Sequence, residues 1–373
     1  MRQPWAWALL LFMISGGAAR KEGKAKLRAM HSIVIKKRGR NATLPLLIKP
    51  HVLDSDAAWR AAKKICDGGV PRAARPILVF VHIFKSAGTT TRETLKQWSA
   101  RRESPTATCR FVSAGRCGGG MARRRLTFAS FARLLRPRRR WLGSANALCT
   151  SGARVAVPRP DVDVVAGHLW FGTLPASRPA IYVTCLRDPV VLRVSGALYL
   201  RLKRYDALSL EDVAADVAAG YVKKADREKP YYANFVKRLG AAEPMSRYGS
   251  YVNGAVASES ARRAARVLDD SFAVVGLTEK YGLFIEMLRK LLPLKGDAAG
   301  FWRDEAVRRE NGNKCKHSTC AVLNALDADA RRALNRTVAY ERKVYVAAVA
   351  VHDRRCAERL GKKVCDAVPA RSC

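Results

Sequence analysis

The sequence predicts an α/β fold, a doubly wound parallel sheet flanked by helices. Three features point there. Ile77-Leu78-Val79-Phe80-Val81-His82-Ile83 is an apolar run of strand length, the kind buried on both faces of a parallel sheet. Strand signals return at Val162–Ala166 and Ala180–Leu186, each followed by polar or turn residues and then helix-like sequence. Phe272–Leu277 reads as a further buried strand, running into a helix capped by Thr278, and the pattern is helical from Asp327 to Leu360. Another helix is expected from Thr90 to Trp98. Residues 103–160 carry no comparable signal, and no internal repeat is visible.

With 373 residues, 49% of them hydrophobic, the chain can bury a large core, which excludes wholesale disorder. Its charge is lopsided: 69 Lys+Arg against 31 Asp+Glu leave a net +38. A field of that sign concentrates anions, whether nucleic acid, acidic polysaccharide, phosphate groups or anionic membrane. Many arginines lie among alanines, which also fits a merely solvated surface. Composition alone does not choose.

The N-terminus does narrow the setting. Arg2 precedes the apolar stretch Trp5 to Ser15, and the small residues Gly16-Gly17-Ala18-Ala19 follow. This is the layout of a secretory signal over residues 1–19. A short membrane anchor is the competing reading, disfavoured by the bases at Arg20, Lys21, Lys24, Lys26 and Arg28. Residues 20–75 read as a basic stem, 76–355 as the main domain and 356–373 as a cysteine-containing tail. Ten cysteines without a CxxC pair suit disulfides in an oxidising lumen better than a zinc site. Cys109–Cys117 and Cys315–Cys320 are candidate local loops. Asn41-Ala42-Thr43 and Asn335-Arg336-Thr337 would be glycosylation acceptors there.

The most informative segment runs from Phe80 to Glu93, a strand, a loop of small and hydroxyl residues, then a helix start. Free N–H groups and the helix dipole make such a junction an anion site. Ala87 and Gly88 let a phosphate approach the backbone, Ser86, Thr89 and Thr90 offer hydroxyl donors, and Lys85 supplies charge. Thr90 and Glu93 have capping-box spacing. The loop is not a Walker A motif, because Gly88 is followed by Thr89 and the lysine precedes the glycine. That disfavours a P-loop kinase or NTPase.

His82-Ile83-Phe84-Lys85-Ser86-Ala87-Gly88-Thr89-Thr90 resembles the 5′-phosphosulfate loop of Golgi carbohydrate sulfotransferases, usually H-I-P-K-T-G/A-G-T-T/S. Phe84 stands where proline or glutamine is usual, and Ser86 replaces threonine. About a hundred residues on, Ile181 to Ser195 resembles the family's 3′-phosphate motif, a buried strand ending in L-R-D-P with a serine further along the helix. Arg187 offers a planar fork to a terminal phosphate and Ser195 a neutral donor. Pro189 suits the first helical turn and Asp188 its cap. Phe272 to Glu279 resembles the family's later V-G-x-T-E strand. The resemblance spans residues 76–355 and implies a P-loop-like single catalytic domain. It further implies the nucleotide sulfonate donor PAPS as co-substrate (PAP as product), no metal, and a lumenal Golgi location.

Sulfonate transfer needs a base for the acceptor hydroxyl and positive charge on the leaving phosphate. Lys85 suits the second role. Gly167-His168-Leu169-Trp170-Phe171 resembles the G-H-x-x-[FY] stretch of the uronyl/heparan sulfate 2-O-sulfotransferase branch, which implies His168 as base. A second histidine often lies nearby in that branch. Position 166 here is Ala166, which leaves the orienting partner open. His82 and Glu93 rank lower, and Lys314 and Lys316 are candidates for a basic closing loop. The arginine-rich stretch Arg123–Arg140 has spacing that would give one basic helix face for an acidic polysaccharide. No nucleic-acid reader motif is present. The expectation is therefore transfer of sulfonate to a glycan hydroxyl. The competing readings are a non-catalytic lumenal polyanion binder on the same fold and, further back, a kinase or NTPase.

Overall fold

Five strands run parallel in the order β2-β3-β1-β4-β5: β1 (Ile77–Val81), β2 (Phe111–Ala114), β3 (Val164–Gly167), β4 (Ala180–Leu186) and β5 (Phe272–Leu277). The computed structural model describes residues 52–102, 109–114, 162–169, 171–172, 178–225, 234–240, 254–294, 300–302, 304 and 316–368. In chain order the helices are α1 (Ser55–Ala62), α2 (Gly88–Arg101), α3 (Pro189–Leu200), α4 (Leu202–Tyr205), α5 (Leu210–Ala225) and α6 (Asn234–Gly240). They continue with α7 (Gly254–Ser271), α8 (Tyr281–Leu291), α9 (Thr319–Ala325), α10 (Ala328–Thr337), α11 (Ala339–Leu360) and α12 (Lys362–Asp366).

Every residue of β1, β3, β4 and β5 is buried, which is why these strands read as unbroken apolar runs. Alternate side chains feed two cores. Val79, Val81, Val165, Tyr182 and Val275 pack with Ala264 and Leu268 of α7 and with Val344 and Ala348 of α11. Leu78, Phe80, Val164, Val183 and Val274 pack with Ala58 of α1, Leu95 and Trp98 of α2, and Phe284 and Leu288 of α8. The strand order reverses around β1, which lies between β3 and β4. In an open α/β sheet that places a ligand crevice at the carboxyl ends of those three strands.

Several local expectations change. Strand β2 falls inside the stretch that carried no signal; it is four residues long and takes its register from β3, with Phe111 opposite Val164. Cys109, at its start, bonds Cys66 rather than Cys117, because β2 begins beside the loop that follows α1. Cys356 bonds Cys365 and ties α12 back to α11. Cys320 is also disulfide-bonded, while Cys315 lies outside the described residues, as do Cys117, residues 1–19, the sequon at Asn41 and the stretch Arg123–Arg140. From residue 52 the expected stem belongs to the folded domain: Leu53 N–H donates to Ala180 O (3.2 Å) and Trp59 Nε1 to Ala273 O (2.9 Å).

Two expected caps are not formed. Helix α2 starts at Gly88 behind Ala87, a residue in the left-handed region (φ 51°) whose side chain makes no cap. Thr90 is therefore already inside the helix, and Glu93 pairs with Arg92 (3.1 Å) and Lys96 (3.7 Å) instead of reaching back. Thr278 donates its hydroxyl to Leu186 O (2.9 Å), binding the end of β5 to the end of β4, and α8 begins three residues later. The cap at α3 forms as expected. Asp188 accepts from Val190 and Val191 N–H (2.8 and 3.1 Å), with Pro189 in the first turn.

At the entry end of the sheet one guanidinium joins the strands. Arg178, 2% exposed, donates from Nε to Arg75 O, from Nη1 to Val162 O and from Nη2 to Asp163 Oδ1, each at 2.8 Å. Asp163 Oδ2 accepts from Arg110 N–H at 3.1 Å. The segments leading into β1, β2, β3 and β4 thus share one buried ion pair whose charges are hydrogen-bonded on both sides. Removing either partner strands a buried charge, which costs about 3–5 kcal/mol. Arg178→Met or Asp163→Ala alone is expected to lower unfolding stability in urea by that amount. The double variant Arg178→Met/Asp163→Leu should recover part of the loss, since Arg75 O and Val162 O still lose their Arg178 donors and Arg110 N–H its Asp163 acceptor. Single variants as stable as the parent would contradict this role.

Candidate functional site

The carboxyl ends of β3, β1 and β4 lie side by side, about 4.8 Å apart from strand to strand. One candidate group emerges from each: His168 after β3, the loop 82–87 after β1, and Arg187 after β4. The sequence motifs, separated by about a hundred residues, are adjacent in space.

The loop after β1 reverses through two non-glycine residues in the left-handed region, Lys85 (φ 62°) and Ala87 (φ 51°). Each costs about 1–3 kcal/mol, so the surroundings must impose the turn. His82 is the chief constraint. Its N–H donates to Gly167 O (2.7 Å), and its ring lies where a side chain at position 88 would go. A Cβ on Gly88 would stand 1.6 Å from His82 Cδ2 and 2.0 Å from Nε2. Gly88 was expected to be small so that a phosphate could approach; the His82 ring, which fills the space a Cβ would need, is a separate packing reason for glycine there.

His82 also answers the question left open by Ala166. Its ring stacks on that of His168, centroids 4.1 Å apart and 20° from parallel. Its carbonyl accepts from His168 Nδ1 at 3.1 Å. A carbonyl can only accept, so the Nδ1 proton is held and the neutral ring carries its lone pair on Nε2. That is the tautomer a general base at Nε2 requires.

Arg187 joins the other two pieces. Its Nη1 donates to Ser195 Oγ (3.1 Å) on α3 and to Lys85 O (3.3 Å) in the loop. Burial lowers the pKa of the Lys85 ammonium, and the charge of Arg187 lowers it further; burial likewise lowers that of Arg187. Among the described residues no carboxylate forms an ion pair with either cation. The nearest acids are committed elsewhere. Glu279 accepts from Asp188 N–H and from Tyr345 hydroxyl, both at 2.9 Å, and burial beside that carboxylate raises the Tyr345 pKa. Asp188 caps α3. Two half-buried cations that repel each other, with no ion-paired carboxylate among the described residues, are an arrangement suited to an anion, although Glu279 and Asp188 partly offset the charge of Arg187.

Of the three loop hydroxyls, Ser86 and Thr90 are buried, at 0% and 4% exposure, and Thr89 is the accessible one. Ser86 Oγ has no hydrogen-bond partner, and its side chain must rotate to meet a ligand. Thr90 O accepts from Thr94 (2.9 Å) inside α2. Sequence reasoning missed Tyr199, whose ring lies under Lys85 Nζ at 4.3 Å; the available signal was its place four residues after Ser195 on the same helix. It also missed Glu279 as the brace of the Arg187–Asp188 turn. Lys316 is exposed and its N–H is given to Asp206 (3.2 Å), while Lys314 and Trp170 lie outside the described residues. Asn335 is exposed, with Oδ1 accepting from Arg342 (2.9 Å).

Comparison with protein-family models and with curated proteins finds no match to this chain. Among the described residues no helix is long and apolar enough to cross a membrane, and no group of three His, Cys, Asp or Glu could hold a metal ion.

The clash at position 88 yields a test. Gly88→Ala must push the His82 ring aside and with it His168 and the loop. It is expected to weaken inorganic pyrophosphate binding by at least about tenfold by calorimetry, since a charge-assisted hydrogen bond lost there is worth about 1.5–3 kcal/mol. Gly88→Ala/His82→Ala, which removes the obstructing ring, should bind more tightly than Gly88→Ala. A double variant weaker than the single would show that His82 is not what demands glycine.

Proposed function

We propose that this chain is a PAPS-dependent sulfotransferase that transfers sulfonate to a hydroxyl of an acidic glycan in the lumen of the secretory pathway. The observation that carries the reading is the pair Lys85 and Arg187, half-buried cations with no ion-paired carboxylate among the described residues, flanking a left-handed loop at the sheet's switch point with His168 one strand away. PAPS has anionic groups at both ends of its ribose. The loop with Lys85 suits the 5′-phosphosulfate, and Arg187 with Ser195 suits the 3′-phosphate. The spacing of the motifs along adjacent strands supports one ligand held by both.

The chemistry follows from these roles. His168 Nε2 takes the proton of the acceptor hydroxyl as its oxygen bonds to sulfur, and the sulfur–oxygen bond to the 5′-phosphate breaks in line with the attack. The electron pair of that bond goes to the phosphate oxygen, where Lys85 meets the new charge. PAP leaves and His168 returns its proton to solvent. No metal is required by this scheme. The disulfides Cys66–Cys109 and Cys356–Cys365 fit an oxidising compartment, and a net charge of +38 suits an acidic acceptor better than a neutral one. His168 in the favourable tautomer speaks against a binder that has lost transfer. Lysine ahead of the glycine speaks against an NTPase.

Titration calorimetry with PAP and ATP tests the donor site. The protein is expected to bind PAP selectively, and Lys85→Ala or Arg187→Ala should each weaken binding by at least about tenfold, the loss of one charge-assisted contact. Equal affinity for ATP, or no binding of PAP, would overturn the proposal.

A further inference from the structure

Helix α3 turns two residues toward the cations, one for each. Ser195 accepts from Arg187, and Tyr199, one helical turn on and so on the same face, lies under Lys85. Lys85 Nζ sits 4.3 Å from the Tyr199 ring centroid, within cation–π range. Tyr199 is in turn met edge-on by Phe84, the residue just before Lys85, with centroids 5.8 Å apart and planes at 71°. The charged group facing Lys85 is Arg187, from the end of β4; α3 offers it only the ring. With no acid among the described residues to hold it and a like charge beside it, a flexible lysine would swing into solvent. The aromatic face offers the ammonium an attractive surface while leaving its donors for an incoming anion.

We propose that Tyr199 is a positioning residue that holds the Lys85 ammonium beside Arg187 through its ring face, so that the two cations meet an anion already assembled. It works through the ring and not through the phenolic hydroxyl. Phe84, where this chain departs from the proline or glutamine usual in the family it resembles, buttresses that ring. The lysine is thereby ordered before the ligand arrives, and binding does not have to immobilise it. The inference rests on the reading of Lys85 as the residue that meets the 5′-phosphosulfate, but its physical content concerns any anion at the loop.

The test uses the full chain with Tyr199→Phe, Tyr199→Trp and Tyr199→Leu. Tyr199 is 52% exposed, so these changes leave the core untouched. The first readout needs no nucleotide: the pH dependence of Lys85 acylation by a water-soluble amine reagent, followed by peptide mass spectrometry. A ring face stabilises the charged form, so Leu should shift the profile toward lower pH by about half a unit, while Phe and Trp restore it. The second readout is affinity for inorganic pyrophosphate and for PAP, expected to fall about threefold to tenfold with Leu and to be rescued by Phe and Trp. Failure of the proposed function would show as parent protein that ignores PAP, with the acylation profile and pyrophosphate still ranking the four side chains. An unchanged profile in Tyr199→Leu, tighter anion binding by Leu, or a Phe variant as weak as Leu would overturn the role of Tyr199.

Discussion

The space denied to a side chain at position 88 governs the carboxyl end of the sheet. His82 fills it: its N–H is tied to Gly167 on β3, which fixes its main chain, and its ring stacks on that of His168. Beside it the chain turns sharply into α2 through left-handed conformations at Lys85 and Ala87. That turn presents Lys85 O to Arg187, while the histidine carbonyl and ring orient His168. One packing constraint thus couples three strand ends.

The sheet carries two very different arginines at its two ends. Arg178, at the entry end, meets a carboxylate and backbone carbonyls and has Asp163 as its counter-ion. Arg187, at the exit end, hydrogen-bonds a serine hydroxyl and a carbonyl among the described residues, while Glu279 and Asp188 lie close enough to raise its pKa against burial. Those acids spend their oxygens on Asp188 N–H, Tyr345 and the α3 cap. The first arrangement joins strands; the second leaves a guanidinium that forms no ion pair with a carboxylate among the described residues, although Glu279 and Asp188 act on it from nearby. A similar economy marks the region of α11: Arg193 of α3 reaches Glu341 (3.3 Å), whose carboxyl is pushed up to about 7 by burial in spite of that partner.

The strands and the α3 cap were legible in the sequence because their signals are local. A strand buried on both faces announces itself as an apolar run, and Asp188-Pro189 carries its own capping chemistry. Strand β2 was not legible, since four residues at an edge are defined by their pairing with β3 and not by their composition. The capping box at Thr90 and Glu93 failed because tertiary packing set the helix start two residues earlier. In the site, Lys85, Arg187, Ser195 and His168 were readable as types in motifs. The Glu279 brace depends on which strands neighbour one another; the His82–Gly88 contact depends on how the loop folds back on itself, and for Tyr199 the four-residue step from Ser195 was the one local sign.

Transfer itself is the most direct measure of the account. Radiolabelled PAPS offered with a panel of acidic glycans, to the parent protein and to His168→Ala, reads both donor use and the base. The account predicts label in glycan with the parent protein and a fall of about a hundredfold or more with His168→Ala, the contribution typical of a positioned base, while PAP affinity is retained. Label transferred equally well without His168 would contradict the assigned mechanism, and no transfer to any glycan by a protein that binds PAP would contradict the assigned activity.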